Sequence, residues 1–442
     1  MKKFVLLLSM VLLLVMAGCG SNTSTKDDEK DENTTVEKEN DTEEGAEEES
    51  KEEEEAPNTL LGSIEDFESI SIDEYDQENW IQIETEMNIE NHAFLDGDRF
   101  FINTESDETI AYTKDMKEIW KSEVPFPFRR PNVMTDDYIL VNNETDEGEE
   151  AFIEALDKET GESVYKIDLK KYNNLSEYYV IDDAIYFAAG LRSEPDDMLF
   201  ADQFTIHKHN LQDGSLIWEK EIGNLKQNGK DPLYQLAFKD DYFYYVNDDS
   251  ELIAAEQESG DEIWKQSLPE SLRYSIPFFS GDALYILDSD SVFHGYDAET
   301  GDPLNEFEFP GRMIGPVAPY PVFTDSTVIY QNLDFDNGDT TLIAVDIEAG
   351  EEAWSIDFGQ HFIFAAHLIN DTLYLLTQVD GEDSSTPTKV LKLNPETGEL
   401  IEGIELNERM AKASNNQYLY MGNYTNDDYL AFFFEKSAYF IK

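Results

Sequence analysis

The chain has 442 residues, 40% apolar and 12% aromatic, with 97 acidic side chains against 31 basic ones and a formal charge of -66. That balance excludes nucleic acid as a partner, because displacing counterions from phosphates needs clustered Lys and Arg. Six His and one Cys leave little material for a zinc site and rule out an intrachain disulfide, while the aromatic content favours a core built from strands.

In chain order, Lys2 and Lys3 form a positive start, and Phe4 to Met16 is an almost unbroken apolar run. As a helix it would reach roughly 20 Å, well short of the ~30 Å hydrocarbon core, which marks an export segment and not a spanning helix. It ends in Val15-Met16-Ala17-Gly18-Cys19. Small residues before a lone cysteine resemble the lipobox of bacterial lipoproteins. By that resemblance, cleavage falls between Gly18 and Cys19, leaving residues 1–18 as signal peptide, and a diacylglycerol is joined to the Cys19 sulfur. Two acyl chains anchor stably where one would be marginal. The competing reading is an ordinary cleavable signal with an incidental Cys. Residues 19–58, crowded with Glu, Asp, Lys, Thr and Ser, offer almost nothing to a core and are expected to form a disordered acidic tether. The folded domain is expected over 59–442.

From there one pattern repeats: an apolar stretch, then Asp or Asn (once Glu), three residues, Gly, and usually an aromatic four residues on. The copies are Asp157-Lys-Glu-Thr-Gly161 with Tyr165, Asn210-Leu-Gln-Asp-Gly214 with Trp218, and Glu256-Gln-Glu-Ser-Gly260 with Trp264. They continue with Asp297-Ala-Glu-Thr-Gly301 and Phe307, Asp346-Ile-Glu-Ala-Gly350 and Trp354, and Asn394-Pro-Glu-Thr-Gly398. A degraded copy runs Tyr112-Thr-Lys-Asp-Met116 with Trp120. An Asp or Asn side chain bonds its own backbone two residues on, and Gly supplies the positive φ that closes a tight hairpin. Upstream of each turn lie further short alternating strands, such as Asp241 to Val246 with Glu251 to Ala255, and Asp282 to Leu287 with Val292 to Tyr296. Four strands per repeating unit predict radially arranged blades.

The two ends of the domain give a separate test. After Gly398 only three strands remain: Gln417 to Met421, Tyr429 to Phe434, and Ala438 to Ile441. Asn79-Trp80-Ile-Gln-Ile83 fits the missing fourth, so the N-terminal strand is expected to complete the last blade and close the ring, removing open edges. The resulting expectation is an all-β, eight-bladed β-propeller of four-stranded antiparallel blades, with seven blades as the alternative if a degenerate unit does not form.

Asp/Asn-x-x-x-Gly followed by Trp resembles the quinoprotein-like propeller repeat, also called the pyrroloquinoline quinone repeat. The likeness covers most of Trp80 to Lys442, and Asp346 to Trp354 is its best copy. The resemblance implies that Trp80, Trp120, Trp218, Trp264 and Trp354 dock between neighbouring blades. Asn305 and Glu402 stand in the Trp position of units five and seven, where looser contacts are expected. Quinoprotein dehydrogenases of this fold add calcium, a catalytic Asp and often a neighbouring cysteine pair, and with Cys19 lipidated that pair is absent here. Another branch comprises lipid-anchored propellers without catalysis, such as the scaffold lipoprotein of the outer-membrane barrel-assembly machinery. Anchor plus repeats resembles that branch more closely.

Outside the repeat, Phe126-Pro-Phe128-Arg129-Arg130-Pro131 stands out, because paired arginines framed by aromatics are the composition of interface anchors. The competing reading pairs them with local carboxylates. The insertion Arg192 to Asp202 and the connection Pro316 to Pro321 would add rim contacts. Asp334-Phe-Asp336-Asn-Gly338-Asp339 has the hard oxygens of a cation loop but sits where a hairpin is expected, and is read as a plain turn, as is Asp288-Ser-Asp290. His207 and His209 alternate on one strand and face the same side, more as half-buried surface residues than as a metal pair. No catalytic residue is assigned.

The expectation is therefore a non-catalytic binding or scaffold module on the extracytoplasmic face of a bacterial membrane, favouring the outer leaflet of the cell membrane. Its partners are the membrane, through the lipid on Cys19, and a protein, peptide or cell-wall polymer, with the chain a monomer. No cofactor is expected; calcium is left open and pyrroloquinoline quinone is disfavoured. The alternative is a quinone-dependent dehydrogenase or sugar-acting enzyme using the central channel.

Overall fold

Short strands build the whole domain, and several second and third strands of the blades are buried on both faces, between the sheets on either side. The computed structural model describes residues 60–75, 80–84, 89–104, 108–123, 133–144, 151–191, 203–223, 236–247, 249–269, 277–287, 292–308, 321–334, 337–379, 388–406, 430–433 and 437–441. The chain divides into two units, Met1–Ala56 and Pro57–Lys442, and every described residue belongs to the second. Its helical elements among these residues are two single 3-10 turns, Ile64–Asp66 and Ile72–Glu74, each opened by a capping serine, Ser63 and Ser71.

Seven sheets carry four antiparallel strands each, in chain order. Blade 1 runs from Ile89–Asp96 to Glu118–Glu123, blade 2 from Val133–Met134 to Ser163–Asp168, and blade 3 from Tyr172–Ile181 to Leu216–Gly223. Blade 4 runs from Ala237–Lys239 to Glu262–Ser267, and blade 5 from Phe278–Ser280 to Pro303–Glu308. Blades 6 and 7 run from Val322–Phe323 to Glu351–Gly359 and from His361–Ile369 to Leu400–Glu405. The eighth sheet has three strands, Leu430–Phe433, Ser437–Ile441 and β3 (Trp80–Glu84). Among the described residues complete four-stranded blades thus number seven, the alternative weighed from the sequence, and not eight. Gln417 to Met421, the segment expected to supply a further strand of the closing sheet, lies outside the described residues.

The closure itself is antiparallel, with Trp80 opposite Ile441 and Glu84 opposite Ser437. Trp80 stacks on Tyr439 with ring centroids 6.0 Å apart, and Gln82 Nε2 donates to the Tyr439 hydroxyl at 3.0 Å. The strand before the first blade and the last strand are therefore held in one sheet.

Apolar side chains are buried between successive sheets and not within any one of them. Phe100 of blade 1 meets Phe440 of the closing sheet at 5.5 Å, and Phe101 with Trp120 of blade 1 share a cluster with Met134 and Ile139 of blade 2. First strands lie innermost: Phe278 and Phe323, from blades 5 and 6, stack at 4.6 Å. Each blade is thus buried by both neighbours, which is the reason the repeats fold only as a ring.

Two further strands come from before the first blade. β1 (Leu60–Ser63) pairs in parallel with Glu351–Gly359, the outer strand of blade 6, and β2 (Ile70–Ser71) pairs in parallel with Leu400–Glu405, the outer strand of blade 7. The N-terminal segment therefore straps two adjacent blades from outside before entering the closing sheet as β3.

Candidate functional site

The repeated turn and the aromatic that follows it form one device. In blade 2, Asp157 Oδ1 accepts from the amides of Glu159 and Thr160 and from the Thr160 hydroxyl, at 3.1, 2.8 and 2.8 Å. Hydroxyl and amide together hold the Asp157 carboxyl below its ordinary pKa, and Asp297 is held down by Thr300 in the same way. Asn210, Asp346 and Asn394 accept from backbone amides of their own turns. The amides of Gly161, Gly214, Gly260, Gly301, Gly350 and Gly398 close the loops onto the first turn residue at 2.8–2.9 Å.

The outer strand of one blade then locks onto the turn of the next. Trp120 Nε1 donates to Lys158 O at 3.1 Å, Trp218 to Gln257 O at 3.3 Å, Trp264 to Ala298 O at 3.1 Å and Trp354 to Pro395 O at 3.0 Å. Tyr165 reaches Leu211 O through its hydroxyl at 2.5 Å. The ring covers the turn glycine so closely that a Cβ on Gly301 would lie 2.6 Å from Trp264 Cε3. Glycine is needed there for φ (+75°) and for space.

The Trp position was expected to make looser contacts in blades 5 and 7; in blade 5 it still bonds the next turn, and in blade 7 it turns to the strap instead. Asn305 Nδ2 donates to Ile347 O at 2.8 Å, the same kind of bond to the next turn, and its Oδ1 accepts from Tyr285 at 3.1 Å. Glu402 instead joins a buried polar group with the strap: Lys392 Nζ lies 2.8 Å from both Glu402 Oε2 and the Tyr75 hydroxyl, which itself donates to Glu402 at 3.0 Å. Burial works against the Lys392 charge, but the bonds to Glu402 and Tyr75 outweigh it and raise the pKa of the ammonium.

Trp80 behaves differently from the other four indoles, since its buried Nε1 has no hydrogen-bond partner among the described residues. The turn that would receive it is the degraded copy. There Met116 N closes onto Thr113 O, one residue tighter than elsewhere, and Met116 takes φ +57° in place of glycine.

The buried histidines belong to the core. His207 stacks on Phe187 at 4.9 Å and on His209 at 5.9 Å, so the two do share one side of their strand. Both are buried, not half-exposed, and His209 Nδ1 meets Gly214 O at 2.9 Å. Burial drives the pKa of His207 down to about 3. At Asp334 the structure shows a turn: Gly338 N donates to Asp334 O at 2.7 Å and Asp334 N to Asp339 O at 2.8 Å. Among the described residues no three His, Cys, Asp or Glu side chains converge to hold a metal. Cys19, Phe126, Phe128, Arg129, Arg130, Arg192 to Asp202, Asp288 to Asp290 and Pro316 to Tyr320 lie outside the described residues.

One surface feature was missed from the sequence. The residue directly before each lock residue is aliphatic and faces solvent: Ile119, Val164, Ile217, Ile263 and Leu304 are between 42% and 54% exposed on the outer strands of blades 1 to 5. The signal was present in the apolar-Trp pairs Ile119-Trp120 and Ile263-Trp264, where only the Trp was assigned a role. The ring of interlocked sheets, with its repeated turn and lock residue, is a β-propeller of the quinoprotein-like repeat class.

Within that class, a family model described as outer membrane protein assembly factor BamB matches residues 68–231, 202–304 and 248–418. The chain belongs to this family. No curated protein matches the sequence. Among solved structures, BamB from Moraxella catarrhalis superposes with a TM-score of 0.52 at 13% identity, covering 81% of this chain and 97% of that one. The computationally designed Ika8 protein gives 0.53 at 12% identity, covering 81% and 100%. A europium-containing methanol dehydrogenase gives 0.51 at 11% identity, covering 84% and 88%. At these identities the likeness is one of fold alone.

Proposed function

We propose that the chain is a non-catalytic docking scaffold, held by a lipid on Cys19 at the extracytoplasmic face of a bacterial membrane and binding a protein, peptide or wall polymer through its propeller. The observation that carries this reading is the assembly-factor family match running from residue 68 to residue 418. The locks support it physically. Turn and aromatic fix each blade against the next, so loops and edges are positioned before a partner arrives and the entropy cost of binding falls. The run from Lys2 to Cys19 and the acidic stretch behind it support the anchor and a long tether. The dehydrogenase alternative rests on fold likeness to structures such as the europium-containing methanol dehydrogenase, at 11% identity.

A photoreactive residue at position 129 or 130, crosslinked in the native cell, is expected to capture one recurrent membrane or wall protein. Capture of nothing above background would remove the Arg129-Arg130 patch. In the same cells Cys19→Ser is expected to move the chain from the membrane to the soluble fraction, and continued membrane retention would remove the lipid anchor. A quinone titration in the presence of calcium is expected to show no stoichiometric binding; a tight cofactor with turnover would establish the enzyme instead.

A further inference from the structure

The outer strands of blades 6 and 7 show how this fold accepts an added strand. β1 begins pairing one residue beyond the lock residue Trp354, with Leu60 opposite Ser355 and Ser63 opposite Asp357. Leu61 comes down beside Gly398 and the Trp354 ring, and Trp354 is left only 2% exposed. Blade 3 has the same outer strand without the cover. Leu216–Gly223 ends its sheet, and among the described residues no strand pairs on its outer side. It is eight residues long, against six for the outer strands of blades 1, 2, 4 and 5. Leu216 and Ile217 are 50% and 48% exposed, and Trp218 stays half-buried. An edge of this length with adjacent exposed aliphatics is a template for strand addition.

Charge selects the occupant. Glu219 and Glu221, at the positions where a strand placed like β1 would pair, are both exposed. The chain carries a formal charge of -66, which opposes a second copy of itself. We propose that Leu216–Gly223 is a strand-addition site for an extended segment of a partner protein, with aliphatic side chains set on Leu216 and Ile217 and basic ones beside Glu219 and Glu221. This deepens the docking-scaffold reading and rests on it.

The probe is a short blocked peptide of alternating leucine and lysine, added to the intact chain, with hydrogen exchange read by mass spectrometry. The amides of 216–223 are expected to slow at least about fivefold, while those of 351–359, already paired with β1, stay unchanged. Leu216→Asp with Ile217→Asp, both at exposed positions and checked for an unchanged melting temperature, should abolish the slowing. A leucine–glutamate peptide should produce none. No slowing at 216–223, slowing that survives the double substitution, or equal slowing by the glutamate peptide would overturn the site. So would protection of the strand by concentration-dependent dimers without peptide. If the site fails while crosslinking at 129 or 130 still captures a protein, the scaffold reading stands and only this edge is lost.

Discussion

A lock residue and a glycine from the next blade act together, so their substitution cost depends on what lies opposite. Gly301 and Gly97 both hold positive φ, +75° and +57°, but a Cβ on Gly301 meets the Trp264 ring and one on Gly97 meets nothing within 4 Å. Gly97→Ala is expected to cost about 1–2 kcal/mol from backbone strain alone. Gly301→Ala should cost that plus a further 1–3 kcal/mol or so from overpacking. Urea melts of the two variants would measure the difference, and equal losses would mean the ring yields freely. Asp157 and Gly161 were legible as a motif because their turn contacts are local, and Trp120, whose acceptor lies in the next blade, through the resemblance to the repeat. That Asn305 makes a Trp-like bond was not, since its acceptor, Ile347 O, belongs to the next blade.

For the strands, the N-terminal strap is the element that no periodic pattern announced. Leu60–Ser63 and Ile70–Ser71 are too short to alternate visibly, and their partners lie some three hundred residues away. Its fastening is chemical as well as geometric, because Tyr75 both accepts from Lys392 and donates to Glu402. Tyr75→Phe leaves that buried cation with one partner fewer and is expected to cost about 1–3 kcal/mol. The loss should be local: amide exchange should quicken at Ile404 and Glu405 and stay unchanged in blade 3. Unchanged exchange at Ile404 would mean that backbone pairing alone holds the strap. β3, by contrast, was legible, because Trp80-Ile-Gln-Ile83 carries the Trp and alternation of an outer strand and the C-terminal blade lacked one.

For the whole molecule, buried titratable groups set the pH window of stability. Burial lowers His207 to about 3 and the deeply set His367 to about 4, from 6.5, and lowers His209 and His361 as well. The unfolded chain binds those protons first, so stability present above pH 6.5 is lost as pH falls toward the folded values. Burial raises Tyr186 and Tyr244 from 10.0 to about 12, so stability present below pH 10 is lost as pH rises above it. Urea midpoints measured against pH should therefore form a plateau between about 6.5 and 10. His207→Phe should flatten the acid limb above the carboxylate range, and an unchanged limb would assign it to other groups. The repeat, the turn chemistry and the closing strand could be read from the residues alone, because each rests on one hairpin or on the chain's own arithmetic of strands. Tertiary contacts settled that seven sheets are complete among the described residues, that β1 and β2 cover two outer edges, and that no described strand pairs outside blade 3. Those outcomes depend on which distant backbone reaches an unpaired edge, and hydrogen bonding along an edge leaves no mark on the side chains that form it.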